Sequence, residues 1–217
     1  MIILAILLGL SLAYLMPHQV DAQTQTDPTE GFKSLPLTQS NFAVQRPYDV
    51  PVDQRYSFKD GVHKLWVFDT DKPHSTTSET KPRTEIRIRG YDYSSGVWQF
   101  EGQGYVPGGT SGVCVMQVFG AVGQATTFVL RVYNGTLYYY GSQVLVENVY
   151  DKWFKLNVIH DADASNVKIY IDDQLRFSAP GHGSGASHYF KFGVYAMDDS
   201  SHRMESRWKD VKVLKKN

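Results

Sequence analysis

The chain has 217 residues, 22 Lys and Arg against 22 Asp and Glu, and 13% aromatic residues. That balance leaves no global positive field to hold a nucleic acid or an anionic membrane, so a charged ligand must be met by a local cluster. Cys114 is the only cysteine, which excludes an internal disulfide and leaves stability to the core.

Residues 2–15 form a nearly unbroken apolar run, and Val20-Asp21-Ala22 offers a small-residue ending before Gln23. This pattern predicts a signal peptide over 1–22 and entry into the secretory pathway. A signal anchor is the competing reading, since no basic residue precedes the run. Residues 23–30, polar and carrying Pro28, read as a short leader, and one domain is expected over 31–217. Nothing later in the chain is apolar enough to span a bilayer, so no stable membrane insertion is expected after cleavage.

From residue 31 onward, short alternating runs are separated by Gly, Asn, Asp and Pro clusters, with no amphipathic helical stretch of useful length. Strands are expected at 84–89, 96–105, 112–119, 127–133 and 136–140, then at 153–160, 166–171, 189–196 and 207–214. The pattern is that of an all-β sandwich or barrel built from antiparallel hairpins. Asn134-Gly135 predicts a type I′ turn, because both residues tolerate positive φ. Asn134-Gly135-Thr136 is also a glycosylation sequon, which makes Asn134 a candidate acceptor. The Gly- and Ser-rich stretch 180–187 reads as a mobile loop bordering a cleft.

Side chains two apart on a strand share a face, so Arg83, Glu85, Arg87 and Arg89 project together while Ile86 and Ile88 enter the core. Alone, such a strand reads as a solvated charged face. Two further strands change that balance. Tyr189, Lys191 and Tyr195 alternate with Phe190, Phe192, Val194 and Ala196, and Gln117 and Phe119 share a face opposite Met116 and Val118. The same alternation puts Cys114 opposite Gln117, as a small buried hydrophobe.

The segments Arg83-Thr84-Glu85-Ile86-Arg87, Met116-Gln117-Val118-Phe119 and 189–197 resemble, in order, the three signature motifs of the alginate lyases of polysaccharide lyase family 7. The resemblance implies a jelly-roll β-sandwich whose concave sheet forms an open cleft for an acidic polysaccharide. Over its whole length the chain is similar to the plant citrate-binding proteins, through 46–52, 63–67, 89–96, 205–209 and 211–216. By the lyase resemblance, Arg83 and Gln117 would hold the uronate carboxylate and stabilise the enolate-like charge. Tyr195 would protonate the departing oxygen. Glu85, Arg87 and Lys191 would bind substrate and orient the arginine. Two positions depart from the pattern. Phe119 stands where the lyases carry a histidine, and Met197 replaces the final glutamine of the third motif.

Under a binding reading the same groups make a polycarboxylate site. Arg83, Arg87 and Arg89 offer bidentate bonds, Lys191 adds a point charge, and Gln117 and Tyr195 add neutral donors. The expected function is therefore carboxylate binding, of citrate or an acidic saccharide, in the vacuole or the apoplast. The alternative is a polyuronate lyase eliminating through Tyr195, and a cell-wall polysaccharide-binding module shares the same cleft. No cofactor or metal is expected, since none of the seven histidines falls at a ligand spacing. Those histidines are expected mostly on the surface or in turns. At least three of Trp66, Trp98, Trp153 and Trp208 are expected in the core, and the chain is expected to be a monomer.

Overall fold

The computed structural model describes residues 27–121, 123, 125–182 and 187–217. The expected signal peptide, the first half of the leader and the centre of the 180–187 loop lie outside the described residues. Strands are numbered in chain order. One sheet comprises β1 (Phe32–Leu35), β3 (Tyr56–Lys59), β4 (Val62–Phe68), β6 (Val97–Tyr105), β11 (Trp153–Asp161), β12 (Asn166–Ile171), β13 (Gln174–Pro180) and β15 (Arg203–Lys216). Its order is β13-β12-β11-β6-β15-β4-β3, with β1 added against β15. The other comprises β2 (Phe42–Gln45), β5 (Arg83–Ile88), β7 (Val113–Phe119), β8 (Thr126–Tyr133), β9 (Thr136–Tyr139), β10 (Gln143–Val146) and β14 (Tyr189–Ala196). Its order is β10-β9-β8-β7-β14-β5-β2, and the strand pairings in both sheets are antiparallel.

The two sheets meet over the inward halves of these alternations. Ile86, Met116, Phe128, Phe190 and Phe192 of the seven-stranded sheet pack against Leu65, Phe100 and Trp208 of the eight-stranded one, all essentially inaccessible. Phe100 touches Phe192 and Trp208 with ring centroids 5.9 and 5.7 Å apart. Each such side chain contributes roughly 1.5–3 kcal/mol by leaving water, which is how a fold without disulfides holds together. Asn134 and Gly135 have φ of 47° and 78°, as a type I′ turn requires. Asp60-Gly61 and Asp172-Asp173 turn β3–β4 and β12–β13 with positive φ at both positions.

Two expectations about single residues are corrected. His63, His160 and His188 are buried, not surface or turn residues. Tyr56 Oη lies 3.0 Å from His63 Nδ1 and Tyr93 Oη 2.8 Å from His160 Nδ1, while the His188 ring stands against His160. A phenol partner is what lets an imidazole occupy an inward position. Burial, the dominant cause, holds His63 and His160 down to about 4. Of the tryptophans, only Trp98 and Trp208 are core residues. Trp66 and Trp153 fall on outward positions of β4 and β11, where Lys64 and Lys209 lie over their rings.

Candidate functional site

The register of β7, β14 and β5 builds the site. Gln117 pairs with Lys191 and Lys191 with Arg87, while Gly193 pairs with Glu85 and Tyr195 with Arg83. Residues directly opposite in a ladder share a face, so the polar members of all three strands stand together away from the core.

At the centre is the Glu85 carboxylate, 1% exposed. It accepts a 2.6 Å bond from Lys191 Nζ, a bond from Gln117 Nε2 and a 3.3 Å contact from Arg83. Lys191 is itself 2% exposed. Burial holds its ammonium below the ordinary lysine value and Arg83 adds to that, against the opposing pull of Glu85. One carboxylate thus faces two cations, leaving a surplus positive charge in a water-poor floor. The Arg83 guanidinium lies 3.8 Å over the Tyr195 ring, and its Nε is shielded from water without a partner among the described residues.

Of the expected ligand-binding residues, Arg83, Glu85, Gln117, Lys191 and Tyr195 converge. Arg87 is turned to one side, bonded to Asp92 and stacked 3.9 Å over Tyr189. Arg89 does not join them. Its backbone bonds Asn41 beyond the end of β5, Gly90 follows at φ +86°, and the side chain is exposed. Phe119 stacks on Tyr189 with centroids 5.1 Å apart, and Lys191 Nζ lies 6.0 Å from its ring centre. An aromatic wall therefore occupies the position of the missing imidazole. Asn134, the sequon residue, is exposed at its turn, where Ser111 Oγ binds its amide nitrogen and side chain.

A cleft of about 490 Å³ opens over this floor and is lined by Arg83, Gln117, Phe119 and Tyr195 together with Cys114, Val129, Arg131, Tyr133 and Tyr140. Cys114 is buried as expected, but its face is the third correction, since it lines the cleft beside Gln117. The cause is a pair of register shifts. Against β8 the pairing skips between Cys114 and Met116, and against β14 it skips between Phe192 and Tyr195. Val115 and Met116 consequently both turn into the core, and the alternation changes phase. Burial, the main cause, pushes the Cys114 thiol up to about 12.

Sequence reasoning also missed Arg131, Gln45 and His74. Gln45 pairs with Glu85 from β2, and its Oε1 is buried without a partner. His74, half-buried on the segment before β5, is held below the ordinary imidazole value by burial, and Arg83 and Lys191 reinforce this. Its Nδ1 also lacks a partner among the described residues. Gln45 and His74 lie outside every expected strand, and Arg131, though on the outward phase of the strand expected at 127–133, belongs to none of the three motifs.

Comparison with known proteins follows this geometry. The family profile described as alginate lyase (Alginate_lyase2) matches residues 35–215. The chain is 55% identical to a citrate-binding protein of Hevea brasiliensis over 190 residues, 87% of this chain and 79% of that one. Among solved structures it is similar to an alginate lyase of Pseudomonas aeruginosa, with TM-score 0.62 and 15% identity over 82% of this chain and 99% of that chain. It is also similar to the alginate lyase of a Corynebacterium species, with TM-score 0.61 and 16% identity over 85% and 94%. At such identities the structures establish the fold alone, the jelly-roll β-sandwich that the motifs imply.

Proposed function

Starting from the fact that this chain belongs to the alginate lyase family, whose profile spans residues 35–215, we propose that it binds carboxylates without turning them over, taking citrate or an acidic uronate saccharide in the cleft above Glu85. The observation that carries this reading is the surplus charge of the buried cluster. Glu85 is shared by Lys191 and Arg83, so one cation remains to be neutralised by a guest. Arg83 is fixed against Tyr195 before any ligand arrives, which lowers the ordering cost of a charge-assisted bond. Phe119 supports binding over elimination, because an aromatic hydrocarbon ring takes no proton from a sugar carbon.

A lyase reading is kept for one reason. The Tyr195 phenol and Gln117 share the cleft with Arg83, and His74 is held toward the neutral imidazole that a general base needs. The N-terminal apolar run supports entry into the secretory pathway, and the vacuole or apoplast is proposed as the place where the chain acts, as a monomer.

Two measurements separate the readings. In calorimetry, citrate or a mannuronate oligomer should bind, and Arg83→Ala should weaken binding by about tenfold or more, the scale of a lost bond to a charged group. Incubation with alginate, polymannuronate, polyguluronate or glucuronan should give no ultraviolet absorbance of an unsaturated product. A clear signal that disappears in Tyr195→Phe overturns binding alone in favour of elimination.

A further inference from the structure

The arginines of this chain sort by partner. Arg55, Arg83, Arg87, Arg203 and Arg207 each hold a carboxylate. Arg131 on β8 lines the cleft yet holds none among the described residues, and its Nε is shielded from water without a partner. A half-buried guanidinium in that state carries a desolvation cost that an arriving anion would relieve.

The position of Arg131 follows from the same register shifts that turn Cys114 outward. Arg131 pairs with Cys114, Cys114 with Tyr195 and Tyr195 with Arg83, so a single rung across four strands has a guanidinium at each end. Three strand spacings of ~4.8 Å separate the two backbones, so each head is offered to a separate carboxylate. Between them stand a phenol and a small thiol. Burial above all keeps that thiol protonated, so it adds no negative charge to the rung. Gly141 leaves room for the guanidinium, since a Cβ there would stand 3.2 Å from Arg131 Nη1. Tyr133 and Tyr140 add ring faces at this end of the cleft. The carboxylates that share the cleft, Glu79 and Asp198, are exposed at its rim, and Asp198 is paired with Lys81.

We propose that Arg131 is a second carboxylate subsite, so that the cleft selects anions with at least two carboxylates, one held at Arg83 and one at Arg131, over monocarboxylates. This rests on the reading that the cleft binds carboxylates. Whether the carboxylates belong to a small polyacid or to successive units of an acidic saccharide is resolved by the choice of probe.

The test is calorimetry of the purified chain at low ionic strength with glucuronate, citrate and trimannuronate. Arg131→Gln should weaken citrate, trimannuronate or both by about tenfold or more while moving glucuronate by less than about twofold. Arg83→Gln should weaken all three. A loss confined to citrate identifies a small polyacid, and one confined to trimannuronate identifies a saccharide. Arg131→Met, which keeps the apolar stem, carries the same expectation should the glutamine variant unfold. Equal losses for mono- and polycarboxylates, or no loss at all, overturn the second subsite while leaving carboxylate binding intact. Failure of the unsubstituted chain to bind any of the three overturns carboxylate binding itself, and the subsite with it.

Discussion

The two sheets carry the same motif on their outer faces, a buried carboxylate ringed by cations, and use it differently. On the eight-stranded sheet Glu205 is met by Lys64, Arg203 and Arg207, and Glu101 by Lys155 and Lys212. Those cations are 34–49% exposed at the side chain, whereas the partners of Glu85 are 9% and 2% exposed. Burial pushes the Glu101 and Glu205 carboxyls up. The bonds from Lys212 and Asn157, and from Arg207 and Arg203, outweigh it and bring them below their ordinary value. On that face water and salt balance whatever charge is left over. Around Glu85 little water reaches the two cations, so the same ingredients make a solvated surface in one place and a water-poor cleft floor in the other.

Removing the central carboxylates should break or sharpen this contrast. Glu85→Ala leaves Lys191 and Arg83 without their anion and should cost about 3–5 kcal/mol in urea unfolding. Glu205→Ala, whose cations return to water, should cost about 1 kcal/mol. Equal losses would mean that the cleft floor is as well solvated as the outer face.

Between pH 6.5 and 4 acid should act mainly through the imidazoles buried between the faces, ahead of the depressed carboxyls of Glu101 and Glu205. His63 and His160 have folded values of about 4 against an ordinary 6.5, so the unfolded chain binds more protons between those limits. Their contribution is fully present above pH 6.5 and is lost as pH falls toward 4. The loss is at most about 3 kcal/mol per imidazole. The thermal midpoint should therefore drop across that window, and His160→Gln should flatten the drop. A midpoint constant from pH 7 to 4 would contradict it.

Phe119→His exchanges an aromatic wall for an imidazole beside Gln117. Loss of the stack on Tyr189 should cost about 0.5–1.5 kcal/mol. Citrate affinity should stay within a few-fold, and any ultraviolet lyase signal should rise above that of the unsubstituted chain. The smallest effect is expected on the outer face, where Lys64→Ala should change stability by less than about 0.5 kcal/mol and less still at high salt.

Much of this architecture was legible in the alternation of the chain. The strands at Asn166–Ile171 and Tyr189–Ala196 fall where expected, and the neighbouring expected strands end within a few residues of the observed ones. The strands β1, β2, β3, β4, β10 and β13 have no counterpart among the expected ones. β13, Gln174–Pro180, is exposed at four of its first five residues and ends in a proline, so it carries no inward stripe to recognise. β4 does carry one, in His63, Leu65 and Val67 behind an Asp-Gly turn, so this strand is legible in its alternation. At the site, Arg83, Glu85, Gln117, Lys191 and Tyr195 were legible because β5 and β14 pair without interruption. Cys114 was not, because a bulge changes which residues of β7 face outward and leaves no mark in composition or period; Arg131 stands on the outward phase of β8, but its rung with Cys114 and Tyr195 exists only through that bulge.

That bulge has a consequence for how the family can vary in length. Between Phe192 and Tyr195 on β14, three steps answer two on β7, and a Cβ at Gly193 would stand 2.4 Å from the Thr84 carbonyl oxygen. Deleting one residue there would restore regular pairing with β7 and turn the phenol toward the core, whereas adding one would widen the bulge. A change of length inside β14 would therefore dismantle the rung that joins Arg83, Tyr195, Cys114 and Arg131, whereas an exchange of side chains leaves the backbone in place.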